Sequence, residues 1–383
     1  MKEKRRGRSD PARLLLSAVM LFFFLAFFLL AIKDGSWESF LLSVLVPVIV
    51  FVGSAGIPRL FPADKLLLSL TNFLCALGVL ILYRLSPQRG LTQAVNYGVG
   101  IACMILCTLL VRYMNSWKWA VPLLMLGSLV KLALLLAAAH LLSKRRVVLS
   151  IFFAGACLLL LMLQKDLGTA LLYYGVMLVL LYAATGSLPL VGVGLAGGAG
   201  AAVAGYQMFA HVKRRVAVWL NPWADTGDSG YQIVQGLIAM VNGGAWGVGL
   251  GLGNASVIPE YYNDFIFAVI LHEFGLIFGL IVVCMYLFII IRGIMIARRC
   301  RTAFHALLAT GCAALIALQT FVIIGGNIKL IPLTGVTLPF ISYGGTSMVS
   351  SLCVIGLLQG VASRNEAGVH ADRELAMQGE EMK

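Results

Sequence analysis

Long apolar stretches separated by short polar or basic punctuation set the pattern of this chain. Eleven such runs can be marked, at about residues 14–32, 39–58, 66–83, 94–114, 119–142, 148–163, 169–186, 188–208, 264–292, 303–326 and 343–362. Most approach the roughly 20 residues that a helix needs to cross a bilayer core. The ten-residue alternation of an outer-membrane barrel strand is absent. The pattern predicts an all-α fold: a polytopic α-helical membrane protein with about 10–12 transmembrane helices. One long polar interruption, Ala210 to Asp264, precedes the third-last run. It carries aromatics and paired glycines and ends on an acid at the mouth of a helix. That is the profile of a functional loop, not of a disordered linker.

Composition narrows the class. With 60% hydrophobic and only 12% charged residues, the 383-residue chain is not a soluble globular domain. Its net charge of +13 sits in short clusters between apolar runs. The charge therefore concerns topology and anionic lipid, and no nucleic-acid partner is expected. The eight cysteines form no CxxC pair and lie almost entirely inside apolar runs, so neither a disulfide framework nor a zinc site is indicated. Lys144-Arg145-Arg146 and Arg298-Arg299 with Arg301 mark the inner side, which puts the long loop outside. The basic stretch 1–12 also reads as an inner start. Eleven simple crossings cannot join an inner N-terminus to an inner tail, so one run is expected not to be a simple span, or a long one such as 119–142 to hide a break.

Polar groups inside or beside the spans are the candidates for chemistry. Lys131 lies mid-run, where it serves either an anionic substrate or a structural ion pair. Gln164 to Thr169, with Asp166, interrupts two runs as a turn or as a polar cavity wall. Lys213-Arg214-Arg215 forms an outer basic cluster, placed to grip phosphate or simply a solvated helix end. The glycine run 243–253 lacks the GK[ST] ending of a nucleotide loop and reads as close backbone packing or re-entrant structure. Pro259 and Glu260 resemble a helix start, which would set Glu260 and Asp264 four apart on one helical face. Two such carboxylates suit a general base, a hard cation such as Mg²⁺ or Mn²⁺, or mere stabilisation of a helix N-terminus. His272 has no second histidine four residues away, so a structural hydrogen bond is expected of it. Leu338 to Ser347, LPFISYGGTS, reads as broken or re-entrant backbone lining a cavity, or as helix-end punctuation.

Taken in order, these motifs resemble the SEDS family of shape, elongation, division and sporulation proteins, over about residues 66–363. The most specific piece is IPEYYNDFIFAVILHEFG (258–275), followed by LPFISYGGTS (338–347) with Asn327 upstream. GYQIVQ…GGAWGVGLGLG (230–253), RVAVWLNP (215–222), QKDLGTALL (164–172) and WKW…SLVKLALLLAAAHL (117–141) add four more ordered matches. The resemblance implies a SEDS-like transmembrane domain over 66–363 whose outer loop is 209–263. It leaves 1–65 as a basic N-terminus with extra apolar segments and 364–383 as a flexible inner tail.

The same resemblance implies a glycosyltransferase of the bacterial cytoplasmic membrane that polymerises lipid II beside a class B penicillin-binding protein. Asp264 matches the family's essential loop carboxylate. Lys131, Asp166, Arg215, Gln232, Glu260, Ser342 and Tyr343 match motif positions around the substrate cavity, and a divalent cation, Mg or Mn, is a possible cofactor. Departures are also visible. Tyr262-Asn263 replace the family's His-Thr, and no carboxylate precedes Lys131 in Leu126-Gly127-Ser128. Lys165, Val248 and His272 stand where proline, lysine and an acid are usual. A lipid II carrier or a non-catalytic scaffold for the penicillin-binding protein are the alternatives these departures leave open.

Overall fold

A computed structural model describes residues 11–113, 130–164, 166–225 and 229–381. The apolar runs are helices: α1 (Pro11–Asp34), α2 (Trp37–Leu60), α3 (Lys65–Leu85), α4 (Pro87–Tyr113), α5 (Val130–Ser143), α6 (Val147–Leu163), α7 (Leu167–Thr185) and α8 (Leu188–Met208). After the polar interruption come α11 (Ile266–Arg298), α12 (Ala303–Asn327) and α13 (Gly345–Glu381). Nine helices among the described residues are long and apolar enough to cross a membrane, and two shorter apolar helices, Leu134–Ser143 and Val147–Leu163, join them. Helices satisfy their own backbone groups, which hydrocarbon cannot do, so the chain has little choice of form. The chain is a multi-span helical membrane protein.

Contacts fix which helix ends lie together. Phe23 packs on Phe73 and Phe27 on Tyr83, so α1 and α3 run in the same direction. Their far ends meet the glycine run: Lys33 Nζ donates to Gly251 O at 2.7 Å, and Arg84 donates to Gly253 O. At the opposite end, Asp64 caps α3 by accepting from Leu67 N and binds Arg292, near the last turns of α11. Glycines set α4 and α13 side by side. A Cβ on Gly100 would lie 2.4 Å from Leu352, and one on Gly356 would lie 2.5 Å from Met104 O. Such small-residue seams let membrane helices approach closely.

This arrangement resolves the crossing problem. The start of α1, Tyr113 at the end of α4, and Ser143 all fall toward the Asp64–Arg292 end, while Lys33, Arg84 and the long loop share the other. The 119–142 run is thus not a simple crossing from one end to the other. Within it α5 covers only Val130–Ser143, and residues 114–129 lie outside the described part. A second difference concerns the tail. The pattern predicts a flexible end from Arg364, yet α13 continues to Glu381. The stretch EAGVHADRELAMQGEE is rich in good helix formers and contains no proline, so an established span propagates into it.

The interruption itself is structured. It holds α9 (Ala210–Leu220) and α10 (Ser229–Gly243), followed by turns from 244 to 265. Gly275, with φ 81° and ψ 174°, breaks α11 between Phe274 and Leu276. The backbone of 244–249 docks into this break. Val248 N donates to His272 O and Gly249 N to Glu273 O, both at 3.0 Å, and Leu276 N donates to Gly244 O at 2.9 Å. Glu273 accepts from Gly251 N and pairs with Arg84 at 2.8 Å, while His272 Nδ1 hydrogen-bonds Ala239 O at 2.9 Å. The glycine run is therefore a packing element, and its density of glycine follows from backbone-to-backbone contact.

Candidate active site

Asp264 sits in the last turn before α11, half-buried, and two side chains and one backbone amide hold the backbone around it. Asn327, fully buried at the end of α12, donates from Nδ2 to Asp264 O at 2.6 Å and accepts from Ala268 N at 3.3 Å. Ser342 Oγ donates to Asn263 O at 2.8 Å while accepting from Leu338 N at 2.8 Å. Tyr343 N donates to Tyr262 O at 2.9 Å. Gln93, also fully buried, donates to Ser342 O at 3.2 Å and ties the clamp to α4. A carboxylate on a turn is ordinarily mobile; this one is held from the end of α12 and from residues 342–343, which Gln93 ties to α4.

Two charged groups face the same point. An ideal Cβ on Gly335 would lie 3.6 Å from Asp264 Oδ2 and 3.7 Å from Arg215 Nη2, so both side chains converge on that glycine. Arg215, on α9, donates to Thr334 O at 3.0 Å, and Trp219 anchors the same helix through Lys329 O at 3.1 Å. Burial pushes the Asp264 carboxyl up to about 6; the negative charge of Glu260 adds to this and the positive charge of Arg215 opposes it. A base in that range is poised for proton transfer near neutral pH.

Glu260 is close, but not by the predicted route. Residues 258–265 are turns, not the first turns of a helix, and Glu260 has φ 53°. A right-handed helix excludes that value, so Glu260 and Asp264 do not share a helical face. The turn is closed by Asn263 N donating to Glu260 O at 3.0 Å, and by Asn263 Nδ2 donating to Glu260 Oε2 at 3.0 Å. Tyr262 packs its ring under Arg89, whose Cζ lies 3.6 Å from the centroid. The two residues that depart from the motif before Asp264 thus have partners of their own.

The remaining predicted residues divide. Gln232, on α10, donates to Pro259 O at 3.2 Å and supports the turn. Asp166 caps α7 by accepting from Thr169 N at 3.1 Å, and lines a cavity of about 290 Å³ with Gln319, Thr337, Ser347 and Gly335. Gly335 joins this polar cavity to the Asp264–Arg215 pair. Lys131 falls at the start of α5, but its side chain lies outside the described residues, as do Lys165 and 126–128. Ser342 and the backbone of Tyr343 act on the turn itself; the Ser342 side chain is only 2% exposed. Both hold the turn that carries Asp264. Ser342→Ala should cost about 1–3 kcal/mol, because Leu338 N and Asn263 O both lose a partner. Thermal unfolding in detergent would read this as a lower Tm, and an unchanged Tm would contradict the clamp.

Gln93, Arg89 and Gly168 also pack around the site, the first two without a motif that marks them in the sequence. Gly168 lies where a Cβ would sit 2.7 Å from Thr334 O. Gln93 carries no local signal, since it lies in the polar stretch just before the 94–114 run. Arg89 carries none, since a basic residue at a helix start is commonplace. Among the described residues no three His, Cys, Asp or Glu side chains form a metal cluster. Glu260 and Asp264 supply two carboxylates, the donor set that Mg²⁺ takes when substrate phosphates and water complete its shell.

Comparison with known proteins bears on this geometry. Residues 70–367 match the family profile of FtsW, RodA and SpoVE, described as cell cycle proteins. The peptidoglycan glycosyltransferase RodA of Mycobacterium tuberculosis is 41% identical over 195 residues, covering 51% of this chain and 42% of the relative. The probable peptidoglycan glycosyltransferase FtsW of Geobacter sp. strain M18 is 37% identical over 206 residues, covering 52% and 55%. The chain spans about half the length of the curated relatives it matches. A chain solved within a peptidoglycan synthase complex shares the fold, with a TM-score of 0.53 and 24% identity, covering 84% of this chain and 96% of that one.

Proposed function

Because the chain belongs to the FtsW/RodA/SpoVE family of cell cycle proteins, we propose that it is a peptidoglycan glycosyltransferase. Its substrate is lipid II, polymerised at the outer face of the bacterial cytoplasmic membrane with a class B penicillin-binding protein as partner. The observation that carries this reading is Asp264: a half-buried carboxylate held by its backbone, beside an arginine, with its pKa raised toward neutrality. A carrier of an anionic diphosphate gains nothing from a negative group at that point, and a scaffold needs no tuned one.

In the reaction, the 4-hydroxyl oxygen of the acceptor sugar attacks the anomeric carbon of the donor. Asp264 accepts the hydroxyl proton as the new C–O bond forms. The bond from the anomeric carbon to the diphosphate oxygen breaks, and the lipid diphosphate leaves with the electron pair. One base and a good leaving group suffice for inversion. Arg215 meets charge developing on the diphosphate, and the resemblance adds Lys131 as a further cation. A divalent cation held by Glu260 and Asp264 would add charge stabilisation for the same leaving group. Asp166, Gln232, Ser342 and Tyr343 shape the cavity or hold the turn.

Purified protein, alone and with a class B penicillin-binding protein, should convert fluorescent lipid II and Mg²⁺ or Mn²⁺ into a ladder of glycan strands. No strands under any partner or cation condition would sink the polymerase reading in favour of a carrier or scaffold.

A further inference from the structure

A cavity of about 670 Å³ lies at the other end of the bundle, by Asp64 and Arg292. It is formed by the end of α2, the start of α3, the last turns of α11 and the part of α13 around Asn365. Its charged lining is Lys65, Arg292, Arg299 and Arg301 against Asp64 and Glu366. The charge of Asp64 is already spent. Arg292 Nε donates to it at 2.9 Å and Nη2 at 2.5 Å, and its own carboxylate caps α3. Gln359 locks the same residue by donating to Asp64 O at 3.0 Å and accepting from Asp64 N at 2.8 Å. Arg301 is braced against Gly368 O at 3.2 Å. A rigid wall therefore presents an excess of cations, with Lys65 and Arg299 exposed on it.

Apart from Asn365, the rest of the lining is apolar, including Leu66, Ile296 and Val369. Leu66 is 42% and Val369 46% exposed, as is fitting for walls that face acyl chains. A cavity with cations on one side and aliphatic groups on the other, at the level where membrane helices end, matches a phospholipid and not a free ion. The side is also right: this is the end bearing the basic clusters, where anionic headgroups gather around positive charge.

We propose that this cavity binds the phosphodiester headgroup of an anionic membrane lipid, with Lys65 and Arg299 as its cationic ligands beside the Asp64–Arg292–Gln359 brace. The site is separate from the Asp264 turn and does not depend on the reaction assigned there.

Native mass spectrometry of the full chain in detergent, titrated with phosphatidylglycerol, cardiolipin or phosphatidylcholine, tests it. Wild type should bind the two anionic lipids at least about tenfold more tightly than the zwitterionic one. Lys65→Gln with Arg299→Gln should weaken that binding by on the order of 30-fold, about fivefold per charge. Arg298→Gln, whose side chain is outside the cavity, should leave it unchanged. If the double variant does not purify as a folded species, Lys65→Gln alone decides, with a loss of about fivefold. Equal binding of phosphatidylcholine, or anionic lipid held equally by wild type and variant, would overturn the proposal. Displacement of the lipid by an equal concentration of inorganic phosphate would overturn it too, by making this a free-phosphate site.

Discussion

Asp264→Asn is expected to remove strand formation, lowering the polymerisation rate by about 100- to 10,000-fold, the usual contribution of a positioned general base. Asparagine keeps the size and shape of the side chain but cannot take the acceptor proton. The fold should survive, because the bond that ties this turn to α12 uses the backbone carbonyl of Asp264, which Asn327 still reaches. The variant should therefore purify, melt at nearly the wild-type temperature and remain inactive. Glu260→Gln and Arg215→Gln should cost less, since neither residue receives the proton. Activity within threefold of wild type in Asp264→Asn would rule out this residue as the base.

The largest effect on stability is expected at Gly275. Its φ of 81° and ψ of 174° fall in a region that side chains exclude, at a strain of about 1–3 kcal/mol. Space is a second obstacle: a Cβ there would lie 2.4 Å from both Ala245 O and Gly247 N. These are backbone atoms, held by four hydrogen bonds between 244–249 and 272–277, so they cannot rotate away. Gly247 faces the same problem from the other side, 2.2 Å from Glu273 O. Gly275→Ala should lose about 3–5 kcal/mol, a large share of a typical stability margin. The expected readout is poor recovery from membranes and a strongly lowered Tm, with α10 and the Asp264 turn detached together. A Tm within a few degrees of wild type would show that the break in α11 is not needed.

The spans were legible because a bilayer demands continuous apolar runs, and these survive any detail of packing. That Lys144-Arg145-Arg146 and the arginines from Arg298 onward share one end, opposite the long loop, was legible from their charge. The N-terminal part was not, because nothing local shows that Tyr113 and Ser143 end on the same side; that follows from contacts such as Val111 with Gly360 and His140 with Phe304. Asp264 was legible through its motif and through its place at a helix mouth. The helix expected at Pro259 was a local inference overturned by tertiary pairing. Ser342 and Tyr343 hold residues 262 and 263 from about 80 positions away, and Glu260 takes φ 53° to meet them. Gln93 and Arg89 were invisible for the same reason, since their partners are remote. The Asp64–Arg292–Gln359 brace joins three distant segments and could not be read from any one of them.

The pH dependence of kcat/KM for strand formation tests the central claim most directly. The deprotonated Asp264 is the active form, so the rate should rise with pH through a midpoint near 6, the value set by burial and by Glu260. Glu260→Gln removes the negative neighbour and should move that midpoint to lower pH, while Arg215→Gln removes the opposing positive charge and should move it higher. A wild-type midpoint near 4, where an unperturbed aspartate titrates, or a midpoint unmoved by both substitutions, would contradict the account.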